Sequence, residues 1–451
     1  MKLYYAKAFI TENKNIFLYD ALLESLHEIE ENFYKIIESD NLSDEQEKFY
    51  YNYINEYNIR NIINPPQTEI SHGYKTDIIE RIINSHKKLL ILSITNKCNM
   101  NCTYCIYHDK FNNIDEINHT MPFETAVKAI DNLLETSLNL EQAHIGFYGG
   151  ESLLEFDLIK RCVEYIKSKS SGIKITFGTT TNGILLNNER IRRYFEDNNF
   201  QVSVSLDGPK ILNDRYRITK LGKGSYATVI SNLNLWYKEN PDFVKSKVLI
   251  NIVEAPPVYL KVLDDFFCGF PMYYSYSSFF CTPYFKSHMD VSDDNMKKIV
   301  ERENSNFSKR FNDEVIRSYK NYLPRNLKFT PEKIIPGGVC MPIYMRWYVN
   351  SKGEYYPCER IEEKEEFCIG NVDRDINYEK IVSLFDNYII KAKDKCNGCW
   401  GIKICGRCFK NIEESCDDLL NNLEKRYLYF LEKINGNKYA LDKIDAISYI
   451  I

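Results

Sequence analysis

Leu89-Leu90-Ile91-Leu92-Ser93-Ile94-Thr95-Asn96-Lys97-Cys98-Asn99-Met100-Asn101-Cys102-Thr103-Tyr104-Cys105 is the stretch on which the fold turns. The short apolar run Leu89–Thr95 reads as a buried strand. Cys98, Cys102 and Cys105 follow at once, on the loop at that strand's C-terminal end. Thiolates are soft ligands that suit iron–sulfur clusters or zinc. Three cysteines cover three irons of a 4Fe–4S cube and leave the fourth open to a non-protein ligand. His108, three residues past Cys105, gives the rival reading, a Cys3His zinc site.

Outward from this loop the chain alternates regularly. Further strands are expected at His144–Tyr148, Lys174–Thr180, Gln201–Leu206, Lys247–Val253 and Met272–Phe279. Amphipathic helices fill the gaps at Pro122–Glu135, Phe156–Lys169, Asn188–Asp197, Ala227–Lys238 and Val258–Phe267. Such repeats give an α/β fold with a parallel sheet, open or a partial barrel, whose ligands sit at the C-terminal strand ends. There the sequence places Tyr148-Gly149-Gly150-Glu151, Thr180-Thr181-Asn182-Gly183 and Ser205-Leu206-Asp207-Gly208-Pro209. Each alone is an ordinary turn. Together they put polar, Gly-containing loops beside the three cysteines, which a zinc site would not need.

This ordered set resembles the radical SAM superfamily. The resemblance implies a partial (β/α)6 TIM-like barrel. S-adenosylmethionine (AdoMet) would chelate the open iron and, on one-electron reduction, yield a 5′-deoxyadenosyl radical. A flavodoxin or ferredoxin-type electron donor is implied with it. Gly149, Gly150 and Glu151 would contact the methionyl amino group, and Asn182 and Ser205 would lie near the ribose or methionyl carboxylate. Asn213-Asp214-Arg215-Tyr216-Arg217 is similar to the family's Asp-x-x-Arg, which makes Arg217 a carboxylate partner or a surface salt bridge.

Seven further cysteines gather near the C-terminus: Cys340, Gly353-x4-Cys358, then Cys396, Cys399, Cys405, Cys408 and Cys416. Two zinc ribbons would use them. Their order resembles the SPASM extension, which carries two auxiliary 4Fe–4S clusters and brings the expected total to three. The chain departs from that pattern by one residue between Cys405 and Cys408. The resemblance gives Cys396, Cys399, Cys405 and Cys416 to one auxiliary cluster. Cys340, Cys358 and Cys408 would hold the other, with Cys368 or Cys281 as fourth ligand, or one iron bare. Glu359 stands where sulfatase maturases place a catalytic carboxylate, with a cluster-orienting role as the alternative.

Residues 1–88 read as a small unit, with strands at Lys2–Ile10 and Asn15–Tyr19 and helices at Ala21–Glu38 and Asp44–Tyr57. It is similar to the winged-helix-like element that binds the leader of a precursor peptide. The radical SAM core then covers 89–290, a helical connector 291–335 and the SPASM domain 336–451, closed by a helix at Asn422–Lys433.

Composition restricts the class. With 451 residues the chain has more than one core's worth of material, and a formal net charge of -5 does not suit a nucleic-acid binder. No apolar run is long enough for a membrane span, and the start lacks the apolar core of a signal peptide. Fourteen cysteines in such a chain point to metal ligands in a reducing cytoplasm.

Asn15–Asp20, Ser25-Leu26-His27, Pro336–Pro342, Tyr356–Arg360 and Cys399-Trp400 resemble thioether-forming (ranthipeptide or sactipeptide type) maturases of Cys-rich ribosomal peptides. The expectation is an enzyme that joins a peptide cysteine sulfur to a carbon. Carbon–carbon crosslinking and sulfatase-type Ser/Cys oxidation are the alternatives.

Overall fold

The computed structural model describes residues 2–77 (apart from 24, 66, 73 and 74), 80, 89–105, 107, 118–137, 142–169, 172–254, 260–278 (apart from 268), 333, 334, 336, 346–405 (apart from 360, 362 and 375) and parts of 415–431. The chain divides into two compact units. One comprises residues 1–74, 319–341 and 383–451; the other comprises 75–318 and 342–382.

The first unit opens with strands β1 (Ala6–Ile10), β2 (Ile16–Asp20) and β3 (Ser25–Ile29), an antiparallel meander in the order β1-β2-β3. The expected helix Ala21–Glu38 is corrected here. Its first half is β3, and only Glu31–Ile37 is helical. The buried Asp20 carboxylate accepts the amides of Leu22 and Leu23 at 2.8 and 3.3 Å and turns the chain back to pair with β2. Tertiary pairing thereby overrides the three- and four-residue spacing of Leu22, Leu26 and Ile29. Helix Asp44–Glu56 begins as expected, at a capping box formed by Ser43 and Gln46. Ile16, Leu18 and Ile29 pack with Phe33, Tyr50 and Tyr53 from the two helices.

The sheet's other face meets the C-terminal segment of the same unit. Phe9 lies edge-on to Trp400 at 5.5 Å and stacks on Tyr427 at 4.9 Å, and Tyr19 lies 5.0 Å from Tyr427. A two-residue parallel ladder joins β4 (Glu69–Ile70) to Lys333–Ile334.

The second unit is built on β5 (Leu89–Thr95), β6 (Gln142–Gly149), β7 (Lys174–Thr181), β8 (Gln201–Ser205), β9 (Val248–Glu254) and β10 (Tyr273–Ser278), all parallel. Each strand neighbours its predecessor with no reversal of order. Since β/α crossovers are right-handed, this winding puts the helices on one face, as in a barrel and unlike a doubly wound sheet. Ala143, Ile145, Phe147, Val202, Val204, Ile250 and Ile252 are buried. The alternate positions include His144, Gly146, Thr176, Gly178, Ser203 and Asn251, so the opposite face is small and polar.

After β11 (Lys333–Ile334), β4's partner, β12 (Arg346–Val349) adds in parallel to β5. β13 (Glu354–Tyr356) and β14 (Gly370–Asn371) then extend the same sheet antiparallel, to nine strands. The connector 291–335 lies almost wholly outside the described residues, and the C-terminal helix is described only in part.

Candidate active site

The cysteine loop leaves β5 and is pinned by backbone. Asn101 N–H donates to Ile218 O at 2.8 Å, Thr103 N–H to Tyr216 O at 3.0 Å, and Cys105 N–H to Cys102 O at 3.0 Å. Burial pushes the Cys98 thiol up to about 11, and Cys102 up to about 12. Thiolates there need a cation, which ligation to iron would supply. Among the described residues no three His, Cys, Asp or Glu side chains draw together around a single-ion position. Cys102 lies close enough to both Cys98 and Cys105 for their charges to interact, which brings the loop thiols into one neighbourhood. His108 lies outside the described residues.

The second strand's loop closes against the first. Gly150 N–H donates to Thr95 O, and Glu151 N–H to Lys97 O, both at 2.8 Å. A Cβ on Gly149, whose φ is +135°, would fall 2.1 Å from Thr95 O. One on Gly150 would fall 2.3 Å from Lys97 O. These glycines let the two loops meet backbone to backbone. The Glu151 side chain turns the other way. Its carboxylate accepts Leu153 N–H at 3.1 Å, the Thr181 hydroxyl at 2.7 Å and Asn182 N–H at 2.7 Å. Burial nevertheless raises its pKa.

Asn182, on the third loop, donates from Nδ2 to Asn99 Oδ1 at 2.7 Å and reaches Cys98 Sγ at 3.9 Å. It thus ties the third strand's end to the cysteine loop. Ser205 ends β8, nearly buried, opposite Asn251 in register.

Arg217 is not at the surface: it is 6% exposed. Its Nη1 donates to the Tyr104 hydroxyl at 2.5 Å, and that hydroxyl donates to Asp207 Oδ2 at 2.5 Å. Burial works against the Arg217 charge, but Tyr104, Cys102 and Asp207 around it hold its pKa above the usual arginine value. Its Nε is buried with no hydrogen-bond partner among the described residues. A buried guanidinium nitrogen left over near Cys98 and Cys102 fits an anionic group bound next to a cluster. Tyr104 and Asp207 were not singled out from sequence. Their signal was the tyrosine inside the cysteine loop and the aspartate closing the fourth strand.

The second cysteine set falls in both units. In the first, Cys399 N–H donates to Cys396 O at 3.1 Å, and Cys405 N–H to Gly401 O at 2.6 Å. Burial, then the nearby Cys416, raises the Cys399 pKa, so Cys396, Cys399 and Cys416 are neighbours around one turn. This turn carries β1: Tyr5 N–H donates to Gly398 O at 2.9 Å, and its hydroxyl to Asn397 Oδ1 at 3.0 Å. In the second unit Cys358 Sγ lies 3.5 Å from Glu359 Oε2. Both Glu359 oxygens accept from Arg346 Nη1, at 2.9 and 3.0 Å. Cys368 packs against Ile91, Tyr348 and Tyr356, and its thiol donates to Gly370 O at 3.3 Å. Cys281, Cys340 and Cys408 lie outside the described residues.

Comparison with known proteins agrees with this arrangement. Residues 92–253 match the model of the Radical SAM superfamily. An uncharacterized protein of Methanocaldococcus jannaschii is 32% identical over 327 residues, 72% of this chain and 98% of that one. The cysteine-type anaerobic sulfatase-maturating enzyme of Clostridium novyi is 32% identical over 33% of this chain and 39% of its own length. The radical SAM cyclopropyl synthase TigE of Paramaledivibacter caminithermalis is 32% identical over 35% of this chain and 34% of its own. Among solved structures, anSMEcpe with bound AdoMet superposes with a TM-score of 0.55 at 20% identity, covering 80% of this chain and 97% of that one. The chain thus carries a radical SAM domain over residues 92–253 and is similar to an anaerobic sulfatase-maturating enzyme over 33% of its length.

Proposed function

We propose that this enzyme is a leader-guided peptide maturase that joins a cysteine sulfur of a ribosomally made precursor to a carbon of another residue. The observation that carries the reading is the N-terminal meander, in which β3 is bonded, among the described residues, to β2 alone. An extended leader peptide would add along that edge. The expected auxiliary ligand set supports the second half of the reading. Cys340, Cys358 and Cys408 are three ligands for an auxiliary cluster, and Cys368 is committed to an apolar cluster and to Gly370. A peptide thiolate would complete the set.

Bound AdoMet and its cluster supply a 5′-deoxyadenosyl radical that takes a hydrogen atom from carbon. The chain's residues prepare the ground for it. Cys98, Cys102 and Cys105 hold three irons, and Gly149 and Gly150 bring the second loop's backbone to the methionyl amino group. Glu151 fixes the Thr181-Asn182 loop, Asn182 and Ser205 line the ribose side, and Arg217 offers its unpaired edge to the methionyl carboxylate. Cys396, Cys399, Cys405 and Cys416 hold a further cluster, for three in all. Glu359, clamped by Arg346, orients the Cys358 side. A flavodoxin or ferredoxin-type protein delivers the electron.

Sulfatase-type oxidation is the second reading, favoured by the 32% identity with the Clostridium novyi enzyme. Co-expression with a short Cys-rich precursor, followed by mass spectrometry, separates the two. Loss of two hydrogens per bridge with cysteines that resist alkylation supports the thioether. An aldehyde captured by a hydrazide reagent sinks it in favour of the oxidase, and a peptide with freely alkylated cysteines sinks it outright. Iron analysis of anaerobically purified protein tests the clusters: about twelve irons per chain are expected, and zinc without iron contradicts them.

A further inference from the structure

The cysteine loop and the segment after helix Lys210–Tyr216 share a buried hydrogen-bonded chain that the assignments above leave unused. Tyr104 stands between two of the cluster cysteines, 7% exposed, and Asp207 closes the fourth strand, 5% exposed. The Tyr104 hydroxyl receives the Arg217 Nη1 hydrogen and passes its own to Asp207 Oδ2. Arg217 Nη1 lies 3.8 Å from that same carboxylate oxygen, so Tyr104 is inserted between the two charges. Asp207 is held in turn: its Oδ1 accepts Val253 N–H at 2.9 Å, and its N–H donates to Asn213 Oδ1 at 3.1 Å. The Arg217 backbone is equally fixed, donating to Asn213 O at 2.9 Å and accepting from Ser225 N–H at 3.2 Å. One end of the guanidinium is therefore satisfied, and Nε, buried, has no hydrogen-bond partner among the described residues.

We infer that Tyr104 and Asp207 are positioning residues, which hold the Arg217 guanidinium so that its unpaired edge faces the AdoMet carboxylate beside the first cluster. A direct Asp207–Arg217 fork would occupy two guanidinium nitrogens and spend the edge. The inserted phenol takes a single hydrogen and keeps the charge close to its counter-ion without closing that edge. The sequence supports the division of labour, because the phenol is carried by the cluster loop itself. A shift of that loop is thereby felt directly at the arginine.

The inference rests on the first site being the AdoMet site, which AdoMet cleavage by the unmodified reconstituted enzyme tests separately. Tyr104→Phe keeps the ring and removes the hydroxyl; Asp207→Asn keeps the shape and removes the charge. For both variants, iron content and circular dichroism are expected to match the parent. The AdoMet dissociation constant, measured by equilibrium dialysis, should rise roughly ten- to a hundredfold, the range for a hydrogen bond to a charged group. The change that AdoMet causes in the electron paramagnetic resonance spectrum of the reduced enzyme should shrink at an AdoMet concentration that just saturates the parent. Unchanged affinity and spectrum in Tyr104→Phe would overturn the inference. Loss of iron in both variants would overturn it as well, since the pair would then be a clasp for the loop.

Discussion

Asn182 donates its backbone N–H to the Glu151 carboxylate at 2.7 Å, so the loop after β7 is held by a side chain of the loop after β6. The same carboxylate serves Thr181 and Leu153, and none of the three donors has water close by, since Glu151 is 1% exposed. Glu151→Ala strands buried donors and is expected to cost about 2–3 kcal/mol. A fall in thermal stability together with weakened AdoMet binding is the expected result. A variant that binds AdoMet as the parent does would remove Glu151 from the site's framework.

Gly149 and Gly150 offer a steric test. Added methyl groups would meet the carbonyls of Thr95 and Lys97, both backbone and unable to swing aside. Gly150→Ala should separate the second loop from the cysteine loop, at a cost of about 1–3 kcal/mol. Iron bound after reconstitution should drop by about one cluster's worth of four. Full iron loading in Gly150→Ala would show that the loops need not touch.

On the small, polar face of the sheet, His144 Nδ1 lies 2.8 Å from Thr176 Oγ1, whose hydroxyl donates to Ala143 O at 3.3 Å. His144 Nδ1 is therefore the donor, and Nε2 is left as the unprotonated nitrogen. Burial lowers the His144 pKa below its ordinary 6.5. Below pH 6.5 the unfolded chain binds a proton that the folded chain resists. The contribution of neutral His144 is thus present above pH 6.5 and fades as pH falls through the lowered folded value. His144→Gln should flatten the pH dependence of the melting temperature in that acidic window; an unaltered slope refutes the assignment.

Gly178 faces that same ring. A Cβ there would lie 2.6 Å from His144 Nε2. Gly178→Ala is expected to destabilise by about 1–3 kcal/mol, and Gly178→Ala with His144→Ala should recover part of this. Additive losses in the double variant would mean that the two residues do not compete for space.

In the first unit Phe9 is 2% exposed between Trp400 and Tyr427. Phe9→Ala is expected to cost about 3–5 kcal/mol. The loss should appear as an earlier thermal transition by circular dichroism; an unchanged transition would count against this packing.

Much of the second unit could be read in advance because its signals are local. The apolar run Leu89–Thr95 became β5 with the same bounds, and helix Phe156–Lys169 did likewise. The order of the Gly-rich strand ends was enough to find the loops that meet the cysteines. Long-range chemistry stayed hidden. Tyr104 and Asp207 are 103 residues apart, and no periodicity links them. The Ala21–Glu38 stretch misled because its spacing satisfies a helix while Asp20, buried and paired with Arg60 at 2.8 Å, turns the chain into a strand. Four residues, Arg346–Val349, are too few to announce a strand by pattern, and pairing with Leu89–Leu92 on one side and Tyr355–Tyr356 on the other makes them one.

That last pairing bears on how such an enzyme can be cut and recombined. β12 covers the flank of β5, the strand that delivers Cys98, and Trp347, Tyr348 and Val349 are all buried. A truncation ahead of residue 346 would leave a bare strand edge next to the catalytic loop, and bare edges recruit other chains. Chimaeras that exchange the C-terminal cysteine region should join beyond Asn371, past β14, and not at the start of the Cys-rich stretch.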